Sequence, residues 1–164
     1  MTFNVPQKMK SLFAAATLAL ATLNAGCSDK AQIRSDAPVS RSVATRELVD
    51  VPFPPSAHSI YYLMFGGGLQ DLEFLVRFDV APDELDAAVD HLVEWNNKQM
   101  GRALPYPKIP FSGITPPTPR KDFQPVSWWD PSTISTGYYR GQEDAWALRI
   151  FVDQTRSRIY MWQN

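Results

Sequence analysis

A single cysteine among 164 residues leaves the chain without an internal disulfide or a cysteine-rich zinc site. Two histidines are too few for a histidine metal cluster. The 16 basic and 17 acidic residues nearly cancel, which removes the electrostatic basis for binding nucleic acid. Glycine is scarce, with eight residues. Its one cluster, Gly66-Gly67-Gly68, precedes a strand-like stretch, whereas a dinucleotide fingerprint leads into a helix. No Walker loop, HExxH, paired CxxC or GxSxG occurs. What remains is a globular composition, 45% hydrophobic and 20% charged, of a size for one ordinary domain.

The N-terminus carries Lys8 and Lys10, no acid through residue 26, and then an apolar run from Leu12 to Leu23. As a helix that run spans roughly 18 Å, against about 30 Å of bilayer hydrocarbon. It is short for a resident transmembrane helix and suited to the apolar core of a secretory signal. The run ends in Leu23-Asn24-Ala25-Gly26-Cys27, which resembles the lipobox of bacterial lipoproteins. Asn24 stands where that family usually has its leucine, and Leu23 is displaced by one. The resemblance implies cleavage before Cys27, a thioether-linked diacylglycerol on Cys27 and an acylated amine. It also implies a membrane-anchored product; Ser28 is compatible with transfer to the outer membrane, facing the periplasm. Several acyl chains, each buried methylene contributing roughly 0.8 kcal/mol, make release from the membrane negligible.

Residues 1–26 then form the signal peptide, 27–50 a lipidated flexible tether, and 51–164 a single domain. The tether reading rests on a polar, Ser/Arg/Asp-rich stretch without periodicity. Within the domain, 59–65 and 69–79 read as a hairpin with one buried face. Leu72, Phe74, Val76 and Phe78 alternate with Asp71, Glu73, Leu75, Arg77 and Asp79. Pro82 opens a helix with Asp83, Glu84 and Asp86 in its first turn, where the helix dipole favours acids. Leu85, Ala88, Val89, Leu92 and Val93 form its apolar stripe, and Asn96-Asn97 suggests its end. Residues 99–133 hold eight of the 14 prolines and many aromatics, the pattern of an ordered loop that either carries function or covers a sheet edge. Strands at about 133–140, 145–153 and 158–163 complete an α+β fold in ββαβββ order, an antiparallel sheet with one main helix and a long Pro-rich loop.

Candidate chemistry is sparse. His58 and His91 have no nucleophile or metal shell nearby in sequence, so each reads first as a solvated histidine. Asp71 and Glu73 lie at a separation that suits a glycosidase-like carboxylate pair, but Arg77 on the same face points to a surface ion-pair network. Trp128, Trp129, Tyr138 and Tyr139 are either core or anchors for a partner. On an extended segment, Trp128 and Trp129 would point opposite ways, one inward and one to solvent. The expectation is a non-enzymatic envelope lipoprotein, without cofactor or metal, that binds a protein or glycan: an immunity or inhibitor protein, or an accessory of envelope assembly. The alternatives are a cell-wall hydrolase using the surface carboxylates or His58, and a structural spacer.

Overall fold

A computed structural model describes residues 31–48, 51–66, 72–111, 126–141 and 148–163. The signal-like segment, Cys27, the Gly67-Gly68 turn and Asp71 lie outside them. The chain divides into two compact units, 1–30 and 31–164, and the architecture below is that of the second.

Its elements are β1 (Ala31–Arg34), α1 (Arg41–Glu47), β2 (His58–Gly66), β3 (Leu72–Asp79), α2 (Leu85–Gln99), β4 (Ile109–Pro110), β5 (Gly137–Arg140), β6 (Arg149–Asp153) and β7 (Arg158–Gln163). Short 3-10 turns at Pro82–Glu84 and Pro131–Thr133 precede α2 and β5. The strands make one sheet in the order β1-β2-β3-β7-β6-β5-β4, and every neighbouring pair is antiparallel. The class is α+β with the sheet dominant, and the expected ββαβββ order is corrected to βαββαββββ.

The additions come from two places. Residues 31–48, read as part of the tether, contain β1 and α1. Ser40 caps α1 by accepting from the Val43 N–H, and Ala44 and Leu48 are buried in the main core. So few apolar residues sit in this segment that periodicity does not register, yet two of them suffice to seat a seven-residue helix. The other addition, β4, lies in the Pro-rich stretch, where Ile109 and Pro110 pair with Tyr139 and Tyr138. Proline at an edge strand removes a donor the edge does not use.

α2 confirms its stripe: Leu85, Ala88, Val89, Leu92 and Val93 are all buried. The helix passes through Asn96 and Asn97 rather than ending there. Asn96 donates to the Tyr106 hydroxyl at 2.8 Å. The Asn97 amide meets the Leu104 backbone in both directions, accepting at 3.0 Å and donating at 3.3 Å. These side chains tie the start of the Pro-rich segment back to the helix. The helix stops at Gly101, whose φ of +62° is the left-handed conformation glycine adopts without a Cβ penalty.

The sheet buries both faces, which revises the one-faced hairpin. On the helix side, Ile60, Tyr62, Phe74, Val76, Phe78, Ile150, Val152, Ile159 and Met161 pack with α1 and α2. On the other side, Leu63, Leu75 and Trp162 pack under Trp128. Phe151, Tyr160 and Ile134 form a neighbouring cluster. A bulge between His58 and Tyr61, with Ser59 at φ 49°, adjusts the β2 register. Strand β5 starts at Gly137, four residues later than expected, after the Pro131 turn. The expected start of β6 at 145 lies outside the described residues, and β6 is described from Arg149.

Candidate functional site

The sheet face away from α2 is where the aromatic and charged candidates gather. The segment carrying Trp128 and Trp129 is not extended: the Trp129 N–H donates to the Val126 carbonyl at 3.0 Å, closing a turn. Both indoles therefore fall on the same sheet face, correcting the expectation that they diverge. Trp128 is buried, 5% exposed, and stacks on Tyr61 with centroids 5.6 Å apart. Trp129 is half-buried and sets its ring edge-on to Tyr160 and Phe151, at 5.6 and 6.3 Å. The two indoles themselves meet at 6.2 Å, nearly perpendicular. Tyr139 and Phe111 extend the row through Phe151, at 5.2 and 6.2 Å. Edge-to-face and offset contacts of this kind add to the burial of the rings themselves.

A belt of charges runs beneath this row. Arg77 lies over the Tyr61 ring, 4.4 Å from its centroid, and donates to the Trp128 carbonyl at 2.9 Å. Asp130, the residue after the indoles, accepts from the Tyr160 hydroxyl at 2.6 Å and lies within 4.0 Å of both Arg77 and Arg156. Asp79 takes Arg158 through two hydrogen bonds, at 2.6 and 3.1 Å. Asp153 holds Arg156 through its side chain at 3.2 Å and accepts from its backbone N–H at 3.1 Å. Burial, with the hydrogen bond to Asp130, pushes Tyr160 up to about 12. Glu73 is buried and accepts from the Trp162 indole at 2.9 Å, while Arg149 lies over the face of that ring, 4.7 Å from its centroid.

Satisfaction of donors is incomplete here. Among the described residues, the Nε1 atoms of Trp128 and Trp129 and the Nε of Arg77 are buried without a hydrogen-bond partner. Orphan donors of this kind cost free energy.

The remaining candidates are elsewhere. Tyr138 points to the helix side, is buried, and donates to Asp86 at 2.5 Å. Lys108 completes that clamp, 3.0 Å from Asp86 and over the Tyr138 ring at 4.8 Å. The Tyr138 hydrogen bond, followed by that of Lys108, holds the Asp86 carboxyl below the usual carboxylate range. Burial, then the Asp86 contact, holds the Tyr138 hydroxyl well above the ordinary tyrosine value. Arg140 pairs with Asp90 of α2 and donates to the Tyr106 carbonyl at 2.8 Å. His58 is exposed, its Nδ1 2.9 Å from the Ser56 carbonyl, and His91 is exposed on α2. Among the described residues no His, Cys, Asp and Glu group gathers with a metal-binding geometry. None of their helices is long and apolar enough to cross a membrane.

Sequence reading named the aromatics but missed Asp130 and Tyr160 as the residues that fasten the tryptophan turn. The signal was there in part: Glu73, Arg77 and Asp79 alternate with apolar residues, which a solvent-facing reading also explains.

Searches against protein-family models, curated proteins and solved structures found no match.

Proposed function

We propose that this chain is a cell-envelope lipoprotein, anchored through Cys27 and facing the periplasm, whose domain binds a protein or glycan partner without catalysis. One observation carries the binding half of the reading. Tyr61, Phe111, Trp129 and Tyr139 form the outer, half-buried members of the ring row on the face away from α2. Rigid aromatic groups that are partly covered already lose little conformational freedom on contact, which is why they recur as anchors of interfaces. Trp128 and Tyr138 leave the list of contact residues, since both are buried and serve the fold.

The non-catalytic half is supported by the employment of the acids. Of the carboxylate pair that a hydrolase would need poised over a cleft, Glu73 is buried and engaged with Trp162, and Asp71 lies outside the described residues.

The test is capture from envelope extracts with the Cys27→Ser chain as bait, beside Tyr61→Ser and Phe111→Ser variants of matched melting temperature. The expected result is a retained protein, or binding to isolated wall glycan, that both variants lose. Capture unchanged in both variants refutes the site, and turnover of wall fragments by the purified chain refutes the non-catalytic assignment.

A further inference from the structure

The two edges of the sheet are built differently. At one edge, β4 is two residues long, with Pro110 within it and Pro105 and Pro107 just before it. Each removes a backbone donor, a common protection against strand addition. The other edge, β1, contains no proline across its four residues. It presents Ile33 at 47% exposure, one of two large apolar side chains exposed among the described residues. Nothing among the described residues pairs with the outer side of β1. An unguarded edge with an exposed isoleucine invites pairing unless something covers it.

The chain says what lies close enough to cover it. From Cys27 to Ala31 there are four residue steps, which reach at most ~14 Å when fully extended. An acyl group on Cys27 sits in the hydrocarbon, so covalent geometry alone keeps the start of β1 within ~14 Å of the anchor and its last residue, Arg34, within roughly 25 Å. We propose that the β1 edge, centred on Ile33, rests on the lipid surface to which the chain is anchored. This rests on the reading of Cys27 as acylated. Hydrated headgroups satisfy the free strand donors and acceptors, and Ile33 enters the interface. Arg41, exposed on α1, suits anionic headgroups, while Arg34 and Arg46 are paired with Asp36 and Glu47. The strand order then places β4 at the far edge, about 29 Å away by the spacing of neighbouring strands.

The test uses the full acylated chain, purified from bacterial membranes and reconstituted in phosphatidylethanolamine/phosphatidylglycerol vesicles containing lipids spin-labelled near the headgroup. Ile33→Cys and Ile109→Cys variants carry a fluorophore, Cys27 being occupied by lipid. Mass spectrometry of the N-terminal peptide reports acylation independently. The expected result is about twofold quenching at position 33 and little at 109. A Gly/Ser insert of about 20 residues after Lys30 is expected to relieve it. Equal quenching at the two positions in an acylated chain overturns the proposal and leaves the anchor intact. Self-quenching at position 33 that rises with protein density, in place of quenching by lipid, assigns the edge to a second copy and overturns it too. An unacylated Cys27 removes the anchor itself, and the proposal with it.

Discussion

At the scale of single residues, Trp128 and Asp130 hold the described end of the Pro-rich segment, 126–133, on the sheet. Trp128 gives the segment its buried mass and Asp130 gives it direction, through Tyr160, Arg77 and Arg156. Trp128→Ala is expected to lose about 3–5 kcal/mol, the range for deleting a buried aromatic, measured by urea unfolding. A solvent-facing Trp128 would give less than about 0.5 kcal/mol. Protonation adds a second set of expectations. Tyr160 ionises at about 12 when folded and near the ordinary tyrosine value when unfolded. Its contribution is thus fully present below about pH 10 and lost as pH rises from there towards 12. Absorbance titration at 295 nm should show late tyrosines, Tyr138 among them, and Tyr160→Phe should remove only the one that ionises at about 12. The sign reverses for Asp86, whose carboxyl is held low. Its contribution is present above the ordinary carboxylate range and lost as the solution is acidified through and below it. Asp86→Asn should flatten that part of the acid limb, and an unchanged acid profile would refute the clamp with Tyr138. Residue types were legible from sequence. Their partners were not, because Asp79 meets Arg158 across 79 positions, beyond any local pattern.

Elements divide between those announced by repetition and those held by a few contacts. α2 and β3 were plain because periodicity repeats over several turns or pleats. β1 and α1 were not, since Ala44 and Leu48 are the only buried apolar side chains in the described 33–48 stretch. Leu48→Ala is expected to cost about 2–3 kcal/mol, towards the lower end for buried leucine. A tether would lose nothing measurable in the same unfolding experiment. Strand β5 offers a sharper case. A Cβ on Gly137 would lie 1.8 Å from the Val152 carbonyl oxygen, and backbone cannot yield as a side chain would. Gly137→Ala should therefore weaken the β5–β6 pairing, seen as faster amide exchange at Tyr138 and Val152. Unchanged protection there would refute the close approach. In the described parts of 99–133 the prolines told correctly against long elements. They gave no sign that the chain would turn at Val126 and set both indoles on one face.

For the whole molecule, one sheet with helices on one side and the tryptophan turn on the other makes the middle strands the best protected. β3 and β7 are buried on both faces and paired on both sides. Native-state amide exchange is expected to be slowest in these two strands and fastest in β1 and β4. Protection as strong at β4 as at β7 would contradict the strand order.

That order has a consequence in time. The pairing of β3 with β7 joins the early half of the sheet to the late half, and it uses the last strand in sequence. A chain that emerges from a ribosome or translocon from its N-terminus can form β1-β2-β3 early, but that fragment keeps a bare central edge until Gln163 is free. β4-β5-β6 waits in the same way. The domain is thus unable to close on a ribosome before β7 has emerged, and it locks when β7 slides between its two halves.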